Sequence, residues 1–193
     1  FIPITNKFEL MKLLHLSFVF CCVISLQAQK TSVFAERTAE YERGLDLYDK
    51  GVYGAALTAF EKSSKIDAEL VEPKADLLSM KSQLMMSKSA VRIGKPDAEM
   101  VMLSFFRNNT PDALAYEAVM DLGNYYYAKK NYEEAISFYN MVDPATLSDD
   151  QKSEIKFKQG YAQFVKKKYS ESKASFGAIK NLKNKYYEPA NYY

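Results

Sequence analysis

At 193 residues and 48% apolar composition the chain has material for one elongated domain, and with only seven glycines and six prolines it is poor in turn formers, as a helical array should be. The formal net charge is +2, and beyond Ala28 24 basic residues stand against 23 acidic ones, which excludes the extended basic face that nucleic-acid binding requires. His15, Cys21 and Cys22 are the only histidine and cysteines, so the chain beyond Ala28 can form no disulfide, thiolate nucleophile, Ser/His or Cys/His pair, or nitrogen-and-sulfur zinc site, and no enzyme activity, cofactor or metal is expected of it.

Residues 1–10 precede Met11 and read as upstream translation. Met11 and Lys12 then supply a start and a positive charge, residues 13–26 are a mostly apolar run of fourteen, and Gln27-Ala28-Gln29 offers cleavage after Ala28. This is the pattern of a secretory signal peptide over 11–28. The run is shorter than the roughly 20 residues of a membrane span, so an exported protein of the periplasm or outer membrane is expected. Cys21 and Cys22 lack the small residues that lipid attachment needs before the cysteine and read as apolar residues of the signal.

From residue 29 onward the pattern predicts alternating helices. A first pair is expected over about 31–50 and 53–65, and a second over about 74–92 and 96–107. Thr110 as N-cap with Pro111 at the first helical position predicts a helix running to about 129. Asn131 and Glu134 have the spacing of a capping pair for a helix ending near Val142, which Pro144 stops. Ser148 and Gln151 have capping-box spacing for a helix to about Lys166, and a last full helix covers about 170–180. Met80, Met85, Met86, Met100 and Met102 read as core filling in the second pair.

Catalytic and ligand-binding spellings fail on inspection. Gly94-Lys95 resembles part of a phosphate-binding loop, but Pro96 stands where a serine or threonine should bind magnesium. Glu133-Glu134 and Asp149-Asp150 fall in helix first turns, where the helix dipole stabilises negative charge. Asn108-Asn109-Thr110 spells a glycosylation sequon, and Thr110 is already assigned as a cap. The lysine runs at 166–168 and 180–185 read as a solvated turn and a helix end.

One pattern recurs three times in register: a glycine, a tyrosine nine residues on, a small residue three further, and an aromatic four further. It reads Gly44/Tyr53/Ala56/Phe60, Gly123/Tyr132/Ala135/Tyr139 and Gly160/Tyr169/Ser172/Phe176. The glycines are 79 and 37 residues apart, about two periods and one period of a helix-pair repeat. Small residues let two helices approach closely, and the aromatics fill the wedge between them.

These residues resemble the tetratricopeptide repeat, most closely in Leu122 to Tyr127 followed by Asn131 to Tyr139. The resemblance covers about residues 35–193. It implies an all-α fold, a right-handed α-solenoid of antiparallel helix pairs with repeats at about 37–69, 70–111, 112–147 and 148–185, and the start of a fifth from 186. The second of these departs most from the family pattern. In such arrays the first helices line a concave groove, whose positions here carry Tyr41, Leu45 and Tyr48, then Met120, Asn124 and Tyr127, then Phe157, Tyr161 and Phe164. The family's carboxylate clamp for chaperone tails is not expected, since Tyr41 and Met120 stand at its lysine positions.

The chain resembles the N-terminal part of large envelope tetratricopeptide proteins of Gram-negative bacteria, which implies a scaffold that binds protein or peptide partners in assembling an envelope complex. It contacts the membrane only through its signal or its partner. Two alternatives stand beside it: a glycan-uptake surface component, or the targeting arm of an enzyme whose catalytic domain lies beyond residue 193. The aromatic segment 186–193 reads as the entry to a further helix, with self-association through that end as an added expectation.

Overall fold

A computed structural model describes residues 34–65 and 77–193. The signal segment 11–28, with His15, Cys21 and Cys22, lies outside the described residues, as do the starts of the first and third predicted helices and the end of the first repeat at 66–69. Among the described residues every regular element is helical. The chain divides into two compact units at residues 83 and 84.

In the first unit α1 (34–49) and α2 (Tyr53–Ser64) are joined by a three-residue turn. A connection this short makes the two helices run antiparallel. Their interface is built from small residues around one ring: Ala56, Ala59 and Phe60 are all buried. The first turns of α3 (Leu77–Arg92) meet the end of α2 through hydroxyls rather than apolar groups. Ser82 Oγ donates to Ser63 Oγ (2.9 Å), Ser79 Oγ to the Ser64 carbonyl (3.1 Å), and Arg37 Nε to the Ser63 carbonyl (2.8 Å). Buried polar groups are tolerated there because they satisfy one another.

The second unit takes the rest of α3, then α4 (Ala98–Asn109), α5 (Ala113–Ala128), α6 (Tyr132–Tyr139), a 3-10 turn (Pro144–Thr146), α7 (Asp149–Val165), α8 (Tyr169–Gly177) and α9 (Tyr187–Tyr192). Its core is a chain of three clusters, each shared by successive elements. Leu84, Val91, Met102, Phe105, Leu122 and Phe138 join α3 to α6. Tyr116, Val119, Ala135, Tyr139, Val142 and Ile155 join α5, α6 and α7. Phe176, Ile179 and Ala190, with Phe157 and Tyr186 beside them, join α7, α8 and α9. Residues of α5 enter both of the first two clusters: Ala118 and Leu122 the first, Tyr116 and Val119 the second, the spacing of two faces of one buried helix.

Several boundaries differ from the sequence expectation. Thr110 closes α4 instead of opening α5: its hydroxyl donates to the Phe106 carbonyl (2.7 Å), and Asp112 caps α5 by accepting from Leu114 N (2.8 Å). Asn131 makes no side-chain cap on α6, and its backbone N–H bonds to the Tyr126 carbonyl (2.9 Å) of the helix before, so it is not free to donate to Glu134 as a capping box would require. Helix α6 stops at Tyr139, although Val142 stays buried beyond it. The capping box on α7 is present, with Gln151 N donating to Ser148 Oγ (3.3 Å) and Ser148 N to Gln151 Oε1 (3.0 Å). Of the methionines, Met102 is fully buried, whereas Met100 is 68% exposed on the opposite face of α4 and fills no core.

In all three hairpins the recurring glycine faces the recurring aromatic. A Cβ added to Gly44, Gly123 or Gly160 would lie 2.6, 2.4 or 2.9 Å from the ring of Phe60, Tyr139 or Phe176. The facing small residues Ala56, Ala135 and Ser172 are buried, and the Ser172 hydroxyl donates to the Gly160 carbonyl (2.8 Å).

This contact makes a graded prediction. Gly123→Ala should destabilise the chain by about 1 to 3 kcal/mol, as overpacking does, because the Tyr139 ring is buried and its hydroxyl tied. Gly160→Ala, with the looser approach, should cost less. Chemical denaturation of both variants checks the order, and equal or negligible losses would contradict the packing described.

Candidate functional site

The first helices α1, α3, α5 and α7 end alike. The residue after the C-cap adopts positive φ: Gly51 (75°), Gly94 (73°), Lys130 (60°) and Lys167 (61°). The N–H groups of these residues and their successors bond to carbonyls three and five residues back, as in Gly51 N to Tyr48 O and Val52 N to Leu47 O, both 2.9 Å. Each is a Schellman cap. In three of the hairpins this residue comes seven after the pattern glycine. Gly94 is therefore the turn of the hairpin that carries no such glycine, and the buried Ser87 occupies its place. The turn register was a usable sequence signal that the phosphate-loop spelling obscured.

Beside these turns each patterned hairpin carries a pair of rings, from the residues four and nine after the glycine. Tyr48 meets Tyr53 at 5.0 Å and 67°, Tyr127 meets Tyr132 at 5.7 Å and 70°, and Phe164 meets Tyr169 at 5.8 Å and 65°. Edge-to-face geometry suits the ring quadrupoles and adds about 0.5 to 1.5 kcal/mol per pair beyond area burial. The sequence assigned one ring of each pair to the groove and the other to repeat packing, yet they form one clasp. Tyr169, expected as a packing residue, is 59% exposed, whereas Tyr53 and Tyr132 at the same position of their hairpins are half-buried.

In the second unit the clasps join. Tyr161 stands edge-on to Tyr127 (6.2 Å) and to Tyr132 (6.3 Å). Tyr193 then contacts Tyr161 (5.7 Å) and Phe164 (5.6 Å) and stacks on Phe176 (5.7 Å, 18°), while Phe157 meets Phe176 (5.6 Å) and Tyr186 (5.2 Å). Phe164 remains 40% exposed. Burial, helped by Tyr132 and Tyr161, pushes the Tyr127 phenol up to about 12.

The remaining groove positions behave differently. Met120 packs against the second core cluster. Asn124 is engaged through its oxygen: Oδ1 accepts from Tyr139 OH (2.8 Å) and from Lys158 Nζ (2.8 Å), and Lys158 also pairs with Glu154. Lys88 pairs with Glu117, and Arg92 Nη2 with Asp121 Oδ1 (2.9 Å). First helix is thus joined to first helix by neutralised polar pairs, α3 to α5 and α5 to α7. In the first unit Tyr41 lies against Phe60 (5.7 Å), and Leu45 and Tyr48 are half-buried.

The rejected carboxylate pairs sit in the first turns of α6 and α7. Lys166, 3.0 Å from Glu133, holds that carboxyl below its usual range. Among the described residues no three His, Cys, Asp or Glu side chains gather as a metal site. A cavity of about 140 Å³ between the α3–α4 turn and α5 holds the hydrogen bond from Tyr126 to Glu99, which raises the phenol to about 12. It is smaller than the roughly 300 Å³ at which small-molecule pockets begin. Comparison with family models, curated proteins and solved structures finds no match for the chain.

The two raised phenols predict alkaline sensitivity. Their protonated forms are favoured in the folded chain, so their contribution is fully present below pH 10 and is lost as pH rises toward 12. Melting temperature should fall across that window, and Tyr127→Phe should flatten the fall. An unchanged slope in that variant would remove Tyr127 from the account.

Proposed function

We propose that this chain is a non-catalytic binding scaffold, a right-handed α-solenoid of the tetratricopeptide type, whose partners are proteins or peptides. The observation that carries the reading is the recurrence, at one register in three hairpins, of a ring on a glycine and a ring pair beside the turn, with the last pair left largely exposed. Stacked helix pairs of this kind share their cores with their neighbours, as the three linked clusters do. Exposed, pre-ordered aromatics are the side chains that most often dominate binding energy at protein interfaces.

The binding surface differs from the groove that the family resemblance implies. In the second unit Lys88–Glu117, Arg92–Asp121 and Asn124–Lys158 pair across α3, α5 and α7, although Arg92 Nη1 and Asp121 Oδ2 are left without hydrogen-bond partners among the described residues, and the aromatic edge beside the turns is the adhesive feature. The polar row spaces the hairpins, and the edge recognises. Export is part of the proposal and rests on the signal pattern at 11–28. Expression in a Gram-negative host should yield a mature chain beginning at Gln29 by mass spectrometry, and an uncleaved cytoplasmic product would count against it.

Selection of a random peptide library on the chain should return binders rich in aromatic or aliphatic anchors. For those binders Phe164→Ala combined with Tyr169→Ala should weaken affinity by about tenfold or more, as loss of hot-spot rings does, with helical circular dichroism unchanged. Binders indifferent to both substitutions would move the site elsewhere.

A further inference from the structure

The turns of the second unit place lysines where the backbone favours glycine. Lys130 and Lys167 occupy the left-handed position that Gly51 and Gly94 fill in the other two turns, at φ of 60° and 61°. A side chain there is strained relative to glycine, and neither lysine gains packing in return, since both are exposed. The helix dipole does not account for them. Lys129 and Lys166 already stand at the C-caps of α5 and α7, Lys129 over the Tyr125 ring (4.3 Å) and Lys166 on Glu133 (3.0 Å). Among the described residues Lys130, Lys167 and the exposed Lys168 form no ion pair.

The two turns are neighbours, because the Lys166–Glu133 pair and the Tyr132–Tyr161 contact (6.3 Å) link them directly. The windows 129–134 and 166–171 together hold five lysines and three glutamates, one of which, Glu133, is already neutralised. Lys167 and Lys168 lie in the turn between Phe164 and Tyr169, whose paired rings are partly exposed. Cation and ring are therefore presented together at one edge.

We propose that this edge seats an acidic segment of a partner polypeptide carrying an aromatic anchor, its carboxylates on Lys130, Lys167 and Lys168 and its ring on the Phe164–Tyr169 clasp. This rests on the reading of the chain as a protein-binding array and names the chemistry of its partner. A short acidic peptide fits better than a polyanion. Three unpaired cations interrupted by Glu134 and Glu171 match a few spaced carboxylates and not an unbroken row of phosphates, and they release few counterions.

The full chain would be titrated by fluorescence polarisation with a labelled Glu-Glu-Phe-Glu-Glu-Phe-Glu-Glu probe, and with a neutral probe that has serine for every glutamate. The variant is Lys130→Gly combined with Lys167→Gly. Its melting temperature should equal or exceed that of the parent, because glycine relieves the left-handed strain, while affinity for the acidic probe falls about three- to tenfold. Added salt should weaken the parent complex more than the variant complex.

If the neutral probe binds as well as the acidic one and the variant loses nothing, the scaffold reading survives and the acidic partner is overturned. If neither probe binds the parent, both readings fail. Tighter binding of oligothymidylate or of phosphatidylserine vesicles than of the acidic probe would overturn the peptide assignment in favour of a polyanion or a membrane surface.

Discussion

A ring lying on a glycine is the contact on which this structure depends. Because Gly44, Gly123 and Gly160 lack a Cβ, the second helix of each hairpin comes close enough for Phe60, Tyr139 or Phe176 to fill the space a side chain would take. Close approach in turn requires Ala56, Ala135 and Ser172 to be small. Where the small residue is polar, its hydroxyl finds the Gly160 carbonyl and incurs no penalty for burial. Further rings then lean on the first, Tyr41 on Phe60 and Phe157 on Phe176. The same core logic is thus repeated from local ingredients, and long-range chain organisation is needed only to bring neighbouring hairpins together.

Helix ends are governed as tightly as helix faces. Four Schellman caps stop the first helices, each closing the last turn with two backbone N–H groups from the residues that follow it. At Asn131 the Schellman bond takes the N–H that a capping box with Glu134 would need. The caps also fix the three-residue turns of the patterned hairpins, which in turn fix the ring pairs beside them. At Gly51 and Gly94 nothing lies within 4 Å of a built Cβ, so glycine serves conformation there and not space. The lysines at the equivalent positions accept strain and project charge.

The second unit consequently has two kinds of surface. Along α3, α5 and α7, Lys88 meets Glu117, Arg92 meets Asp121 and Lys158 meets Asn124, which also ties α5 to α6 through Tyr139, while Arg92 Nη1 and Asp121 Oδ2 stay without hydrogen-bond partners among the described residues. Beside the turns, rings meet in edge-on contacts and remain partly open. A surface whose charges are already neutralised within the chain has little to offer a partner. Exposed rings flanked by uncommitted lysines have more, and the proposed function follows from that contrast.

The sequence by itself determined the all-helical class, the hairpins, and the register of glycine, small residue and ring, because these are local consequences of side-chain size at fixed spacing. It also carried the capping box at Ser148, whose atoms lie within one turn. It did not determine which of the predicted groove residues face outward. Met120 and Asn124 were indistinguishable from Tyr127 and Phe164 by helical position. Their fates were decided by Lys158, 34 residues away from Asn124, and by the second core cluster, which exist only once α5 and α7 are packed side by side. Thr110 differs from its expected role for the same reason: a hydroxyl near a helix end has several partners within reach, and only the folded backbone settles which one it takes.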